Sequence, residues 1–421
     1  MRTRAPRVRL KYACKGGGEY GLNIAASEYV DDGVRLIRTT DLAGGRLTEE
    51  GAIFVRTEAV SSGDLLQAGD LLLSRSGTVG RAFLVPTEAA GMAYAGFLVR
   101  FRTRSDVDPR FMYYCTQSVE FQSAVQAEAI TSTIQNFNAE RYNNLAIPKP
   151  HLKEQRAIAD YLDRETERID TLIGEQQRLI DMLRERRRAL RVNVALHGTA
   201  PTEEVESPLP WANQLPVGWR VVPLTSVARL ESGHTPSRSR EDWWTDCHIP
   251  WVSLHDVGTM RGTKYLHDTA QRISDAGIAN SSARLLPART VVLSRDATVG
   301  RTAIMGLPMA TSQHFAAWVC GPLLDPEYLW VLFSDAMQPL FDSFQNGSTI
   351  RTIGMGDLKA FRIPLPPIDE QRRIVDYLEE ETPKIDTLIE ETERFIELAR
   401  ERRAALITAA VTGQIEVQEM P

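Results

Sequence analysis

The sequence predicts an α+β (mixed α/β) protein in which two globular domains are separated by two long antiparallel helices that form a coiled-coil spacer. Two observations carry this prediction: one helical segment occurs twice, and a fainter repeat links the regions that precede its two copies. A third is length, because 421 residues exceed one ordinary domain. The chain is therefore expected to be two copies of one plan, a pseudo-twofold internal repeat.

The helical repeat is the strongest internal signal. Segments 151–196 and 367–412 align without gaps at an offset of 216 residues and are identical at 23 of 46 positions. Both contain Glu-Gln-Arg near the start, Ile-Asp-Thr-Leu-Ile in the middle and Arg-Glu-Arg-Arg towards the end. Two segments that are so alike are expected to share one geometry.

The regions before these segments repeat more faintly. Residues 74–81 resemble 294–301 at an offset of 220, and Ser-Thr-Ile occurs at both 132–134 and 348–350. We interpret the unevenness functionally, because parts that read different targets diverge while parts that share a geometry stay alike. The alternative is that a surface domain tolerates more change than a helix.

Apolar residues recur at helical spacing in both close copies, with charged residues between them. A break is predicted near Thr382 and Pro383, because Thr is a good N-cap and Pro suits the first helical position. The apolar stripe needs a cover, and the other copy packed antiparallel is the expected one; the alternative is that each helix packs on its own domain. The predicted helices are 151–164, 167–195, 367–380 and 383–411.

The rest of the chain divides around these helices. Apolar, β-branched stretches at 82–85 and 96–101 predict strands, and a leading Pro with recurring aromatics predicts helices at 109–125 and 326–344. The Pro- and Glu-rich segment after the first helix predicts a linker. The predicted parts are a first globular domain (1–150), a first spacer helical region (151–199), a linker (200–211), a second globular domain (212–366) and a second spacer helical region (367–421).

Composition narrows the class of protein. Hydrophobic residues make up 43% and charged residues 25%, as in ordinary soluble domains. No apolar run approaches the roughly 20 residues of a membrane span, and the basic N-terminus lacks the apolar core of a signal peptide. The four cysteines are far apart, which favours reduced thiols in a cytoplasmic protein. A net charge of −6 argues mildly against nucleic-acid binding without excluding it, since affinity depends on local phosphate neutralisation.

Catalytic and metal-binding signatures are missing from the sequence. It contains no phosphate-binding loop and no dinucleotide-binding turn, and it has neither the HExxH nor the GxSxG motif. The cysteines and histidines do not have metal-ligand spacing. The sequence therefore predicts a binding protein without catalytic residues, metal or cofactor of its own.

Three blocks resemble the specificity subunits of type I restriction–modification systems. They are 215–224 (Leu-Pro-Val-Gly-Trp-Arg-Val-Val-Pro-Leu), the block 291–301, and the Pro-rich lead 363–372 into Glu-Gln and the second long helix. The second and third blocks have counterparts in the first half of the chain. That half begins abruptly at Arg7, without the Leu-Pro-x-Gly-Trp lead.

The resemblance implies that two target-recognition domains each read one half of a split double-stranded DNA sequence, while the long helices set the distance between the halves. It also implies docking of two methyltransferase (modification) subunits and of restriction (translocase) subunits, with a role in phage defence. S-adenosylmethionine, ATP and Mg would then be bound by these partners. No membrane partner is implied.

Sequence is read by side chains at base edges, whereas phosphate contacts position the protein. The predicted DNA-binding residues belong to Gly- and Ser-rich loops. They are Lys15, Arg38, Thr39, Arg75, Ser76 and Arg81 in the first unit, and Ser237, Arg238, Arg240, Ser253, Arg295, Arg301, Gln313 and His314 in the second. The block shared by 74–81 and 294–301 indicates a common turn or a common phosphate contact. Gly16-Gly17-Gly18 could admit a phosphate or form a flexible turn.

Two other functions remain open at this point. One is a recognition subunit of a related restriction or phage-defence system of another type. The other is a coiled-coil adaptor that assembles proteins without DNA. A stand-alone transcriptional regulator is disfavoured, because the chain is acidic and shows no evident helix-turn-helix.

Overall fold

The computed structural model describes residues 5–43, 46–130, 136–344 and 352–417. The Ser-Thr-Ile repeats at 132–134 and 348–350 lie outside these residues. The chain forms two compact units, one made of Met1–Arg178 with Glu393–Pro421 and the other of Leu179–Thr392. Each unit thus contains one globular domain and parts of both long helices. We call these domains the first reader (7–148) and the second reader (204–365), after their predicted role.

The first unit contains a four-stranded sheet in the order β2-β10-β7-β8 and a three-stranded sheet in the order β6-β3-β9. Its strands are β1 (Arg7–Arg9), β2 (Cys14–Tyr20), β3 (Val34–Ile37), β4 (Leu42–Ala43), β5 (Arg46–Leu47), β6 (Ile53–Val55), β7 (Leu71–Ser74), β8 (Ala82–Leu84), β9 (Ala93–Tyr94), β10 (Leu98–Thr103) and β11 (Ala146–Pro148). Its helices are α1 (Leu10–Ala13), α2 (Pro109–Gln117), α3 (Val119–Ile130), α4 (Ala139–Asn144) and the first part of α5 (Leu152–His197).

The second unit repeats this arrangement with a five-stranded sheet, β15-β22-β19-β20-β17, and a three-stranded sheet, β18-β16-β21. Its strands are β12 (Glu204–Leu209), β13 (Ala212–Pro216), β14 (Arg220–Pro223), β15 (Ala228–Ser232), β16 (Ile249–Val252), β17 (Tyr265–Leu266), β18 (Arg272–Ile273), β19 (Val291–Ser294), β20 (Thr302–Met305), β21 (Ala310–Thr311), β22 (Phe315–Cys320) and β23 (Arg362–Leu365). Its helices are α6 (Val257–Met260), α7 (Asp275–Ala279), α8 (Pro326–Val331), α9 (Gln338–Ser343), α10 (Met355–Ala360) and part of α11 (Ile368–Val411).

Antiparallel packing of the long helices occurs inside each unit. In the first, the start of α5 and the end of α11 share one apolar core, and Arg403 pairs with Asp170 at 2.9 Å. In the second, the end of α5 and the start of α11 share another core, and Arg187 pairs with Asp386. The two ion pairs are the same pair of positions in the repeat, so the predicted fold class is confirmed down to individual contacts.

The predicted break near Pro383 is wrong, because α11 continues through it. Proline removes one backbone hydrogen bond and its ring presses on the preceding turn. The helix persists because Leu378, Ile385 and Ile389, on either side of the proline, are buried against neighbouring elements. The predicted break in the first copy is wrong as well, since α5 is one helix of 46 residues.

Local side chains also divide two helices that were predicted to be continuous. In the first unit, Ser118 adopts extended backbone angles, and its hydroxyl donates to the Cys115 carbonyl while accepting from the Phe121 amide, so that α2 ends and α3 begins there. In the second, a π-helical turn (Leu332–Ala336) separates α8 from α9, whose first turn contains Pro339. The predicted linker differs too, because β12 pairs with β13 as a hairpin.

The Glu-Gln pair of the repeat has a structural explanation. Gln155 is fully buried; its Oε1 accepts from the Asp108 amide (2.9 Å), and its Nε2 donates to the carbonyls of Pro150 (2.8 Å) and Asp106 (3.2 Å). Gln371 makes the same three backbone contacts in the second unit at 2.8 to 3.0 Å. Each glutamine therefore ties the start of a long helix to the loop and helix of its own reader.

Candidate nucleic-acid interface

Both readers contain the same turn between two buried strands, at residues 74–81 and 294–301. In each, the amide of the first residue donates to the carbonyl of the last, and a glycine amide donates back to the first carbonyl. Those glycines, Gly80 and Gly300, have φ angles of 84° and 87°, a conformation that favours glycine. The shared sequence block therefore reflects a shared turn.

In the first reader, this turn carries a guanidinium among exposed aromatic rings. Arg75 Nε donates to Asn136 Oδ1 (3.2 Å), and the Arg75 guanidinium lies 4.7 Å from the centre of the Tyr20 ring. The Arg75 amide donates to the carbonyl of Phe97, whose side chain is 61% exposed. Aromatic faces and a guanidinium are suited to stacking and to apolar contact with base edges.

In the second reader, the same turn carries a polar network. The Arg295 amide donates to the His314 carbonyl, and His314 Nδ1 lies 2.8 Å from both carboxylate oxygens of Asp296. Gln313 Nε2 lies 3.3 Å from His314 Nε2, and Thr235 Oγ1 donates to Gln313 Oε1 (2.6 Å). The carboxylate favours a proton on Nδ1, which leaves Nε2 as the acceptor in neutral imidazole.

Phe97 and His314 occupy the same position in the two readers. Each immediately precedes the strand that is second from one edge of its sheet, β10 or β22, and accepts a backbone hydrogen bond from the first arginine of the turn. Their neighbours in sequence share no residue types, so the repeat alone did not pair them and sequence reasoning missed Phe97. The sequence signal that could have found Phe97 is the match of Arg75 with Arg295, because the amide of each arginine donates to the residue just before the neighbouring strand.

Arg38 and Ser253 begin another turn that both readers share. Their amides donate to the carboxylates of Asp41 (2.9 Å) and Asp256 (2.8 Å). The Arg38 side chain also bonds to Asp41, which raises the pKa of the guanidinium above its ordinary value. Ser253 is 4% exposed and its hydroxyl bonds to Asp256, while Thr39 is half-buried within the first turn. The structure thus places the Ser253 hydroxyl in a local contact with Asp256, and its predicted contact with DNA stays a prediction.

The predicted residues at 237–240 lie on one exposed segment of the second reader. Arg238 lies 4.1 Å from the centre of the Trp244 ring, and the Ser237 carbonyl accepts from Trp244 Nε1 (3.1 Å). Asp242 binds Arg240 through two hydrogen bonds (2.7 and 3.0 Å) and raises the pKa of its guanidinium. Both arginines are therefore held in place by neighbouring side chains.

The remaining predicted residues are dispersed. Lys15 is exposed at the start of β2, about 17 Å along that strand from the end that faces Arg75. Ser76 is half-buried in the Arg75 turn, and Arg81 at the end of that turn donates to a backbone carbonyl. Arg301 lines a separate cleft. The structure therefore brings together Arg75, Ser76 and Arg81 in one reader, and Arg295, Gln313 and His314 in the other.

Gly16-Gly17-Gly18 does not form the flexible turn, because all three lie within β2, and the approach of a phosphate to this segment stays a prediction. A β-carbon on Gly18 would lie within 2.9 Å of the side chains of Phe101 and Val99, so glycine is needed there for packing. In the described part of the chain, no three His, Cys, Asp or Glu side chains are grouped so that they could hold a metal ion. Across those same residues, no helix has both the length and the apolarity to cross a membrane.

Comparisons with known proteins agree with this architecture. The sequence model of the type I restriction modification DNA specificity domain matches residues 35–180 and 216–397. The chain is 27% identical over 166 residues to the type I restriction enzyme MjaIX specificity subunit of Methanocaldococcus jannaschii, covering 39% of this chain and 38% of that protein. It is 26% identical over 192 residues to the EcoR124I/EcoR124II specificity subunit of Escherichia coli, covering 44% and 46%.

A solved chain, from a structural study of complex assembly and conformational transition of the type I R-M system, has the same fold. It matches with a TM-score of 0.76 and 18% identity, and the match covers 99% of both chains. The chain spans less than half the length of the two curated relatives described above. Because the family's sequence model covers well over half of the residues in two segments, this chain belongs to the type I restriction modification DNA specificity family.

Proposed function

We propose that this chain is the DNA sequence-specificity subunit of a type I restriction–modification assembly and reads a two-part target with unlike halves. The observation that carries the proposal is the common turn of the two readers, which presents Phe97 in one and Gln313 with His314 in the other. One scaffold with two different sets of base-contacting groups suits a target whose halves differ.

The division of labour within each reader follows from chemistry. The arginines at the start of the turn, Arg75 and Arg295, have backbone amides fixed by the sheet and guanidiniums at its edge, where a phosphate accepts well. His314 and Gln313 offer a donor and an acceptor that can pair with base edges in the major groove. Phe97 offers only apolar contact, such as with a thymine methyl group or an unstacked base step.

The chain itself performs no chemistry in this proposal. Two methyltransferase subunits bind S-adenosylmethionine and modify the DNA, while restriction subunits use ATP and Mg. The repeated segments α5 and α11 suit the docking of two identical partners, since both carry the same Ile-Asp-Thr-Leu-Ile stretch. Their length is expected to set the distance between half-sites. Insertion of one helical turn in both copies should therefore change the spacing that methylome sequencing reports.

The function is tested with the full chain assembled with its methyltransferase subunits. The target is first identified by methylome sequencing of a host that carries these genes. Fluorescence anisotropy then compares the target duplex with duplexes scrambled in one half or the other. We expect each scrambled half to weaken binding by about 1–3 kcal/mol per mismatched base pair. Equal affinity for target and random duplex, or no binding at low salt, would favour the adaptor function instead.

A further inference from the structure

The second unit contains a basic cleft of about 600 Å³, and Arg301 is the one lining residue that the sequence predicted to contact DNA. The cleft is lined by the end of α5, the loop after α6, the end of the 294–301 turn and residues of the helical segments 330–342 and 382–386. Seven of its lining residues are basic: Arg184, Arg187, Arg188, Arg191, Arg261, Lys264 and Arg301. Since the whole chain carries a net charge of −6, this concentration of positive charge is local.

Some of these cations are neutralised within the protein. Arg191 pairs with Asp335 at 2.8 Å, with both side chains 14% exposed. Its guanidinium also lies 4.9 Å from the centre of the Trp330 ring. Arg187 pairs with Asp386, and Lys264 pairs with a glutamate. These contacts tie α5 to the second reader and to α11, and the loop after α6 to α11.

Three other cations have no such partner. Within the described residues, the side chains of Arg188, Arg261 and Arg301 form no hydrogen bond or ion pair. Arg188 and Arg261 are exposed, and they belong to two different elements, α5 and the loop after α6. Several guanidiniums that line one open cleft are suited to an anion with several oxygens, such as a phosphate.

Two of the four cleft arginines on α5 have no basic counterpart in the first unit, while the other two are arginine in both copies. At the offset of 216 residues, Arg188 corresponds to Ala404 and Arg191 to Ile407. Ile407 is 1% exposed and belongs to the apolar core of that unit. The divergence falls inside the most closely repeated segment of the chain, where a shared geometry alone would keep the residues alike.

We propose that this cleft binds the phosphate backbone of the DNA, outside the turn that reads the bases, and that it does so in the second unit only. The inference rests on the proposed function and adds a phosphate site that carries no sequence information. The extended polyanion is favoured over a small anion because the unpaired cations come from three separate elements of the chain that line one open cleft. An acidic segment of a partner protein is the competing occupant.

The test measures the salt dependence of DNA binding by the full assembly. Each phosphate contact contributes about −0.9 to the slope of log K against log salt. The double variant Arg188→Ala/Arg261→Ala should therefore reduce the slope by about 1.8. The factor by which affinity falls between 50 and 200 mM salt should be about 12-fold smaller for the variant than for the wild type, on target and on random duplexes alike.

The matched control removes the same number of charges from exposed positions of the two long helices, outside the cleft. Arg186 and Arg402 are exposed counterparts in the two repeats, and neither lines the cleft. Arg186→Ala/Arg402→Ala should leave the slope unchanged, and melting temperatures should show that both variants fold.

Equal slopes for the cleft variant and the wild type would overturn the cleft proposal, while base-specific binding would still support the proposed function. An effect limited to assembly with partner subunits would also overturn it, in favour of an acidic protein occupant. If the wild-type assembly bound no DNA at low salt, the proposed function would fail, and the cleft proposal with it.

Discussion

The first and second readers share a backbone at the turn but not a surface. The amide of Arg75 donates to the carbonyl of Phe97, and the amide of Arg295 donates to that of His314, in matching strand registers. Phe97 is an exposed ring without a polar partner, whereas His314 is fixed by Asp296. The comparison teaches that the fold holds the residue position constant, while the side chain at that position is free to differ.

The largest expected effect tests whether the buried glutamine holds the long helix to its reader equally in the two units. Gln155→Leu and Gln371→Leu each leave three backbone groups without their hydrogen-bond partner. Each should lower the free energy of unfolding of its own unit by about 3–6 kcal/mol, to a similar extent. Urea unfolding measures this, with exposed Gln177→Leu as the control, expected within about 0.5 kcal/mol. Unequal losses of unfolding free energy would show that the glutamine contacts are not equivalent in the two units.

The next effect concerns the surfaces. Phe97→Ala should weaken discrimination at one half of the target and leave the other half unaffected, by about 1–3 kcal/mol for a lost base contact. His314→Ala should do the opposite. Methylome sequencing and anisotropy on duplexes altered in one half measure both. If Phe97→Ala affected both halves equally, the assignment of separate half-sites to the two readers would be wrong.

A smaller effect separates phosphate contacts from base contacts. Arg75→Ala and Arg295→Ala should weaken binding on all sequences and lower the salt slope by about 1 each. Anisotropy at several salt concentrations, with target and random duplexes, measures the change. A variant that kept its affinity but lost only specificity would mean that the arginine contacts a base.

The smallest effect concerns the repeated ion pairs of the long helices. Arg187 with Asp386, and Arg403 with Asp170, are partly exposed, so each pair should contribute about 0–1 kcal/mol, and the two should agree. Double-mutant cycles in urea unfolding measure the coupling. A coupling well above this range in one unit alone would show that the helices pack differently in the two units.

Periodicity and repetition predicted the long helices, because apolar residues at helical spacing reflect burial directly. They did not predict the course of α11 through Pro383, since the cost of a proline is a local term that the burial of Ile385 and Ile389 outweighs. A common turn was one of two predicted explanations for the block shared by 74–81 and 294–301. The positive φ angles of Gly80 and Gly300 explain why both copies have glycine at that position.

The candidate site was harder to predict, because contacts depend on which strands pair. Gln313 and His314 were chosen for their polarity, but Phe97 has none, and only the register of β10 shows that it occupies the same position. Ser253 was chosen for its hydroxyl, which lies in a buried turn and donates to the Asp256 carboxylate. Residue type alone therefore does not separate a reading residue from a capping residue.

The glutamines at the start of α5 and α11 have a consequence for how target specificity changes. All three partners of Gln155, and all three of Gln371, are backbone groups. A backbone amide or carbonyl is present whatever side chain the reader carries there. A reader can thus be replaced by a divergent one without refitting this joint, which makes each half of the target an exchangeable part.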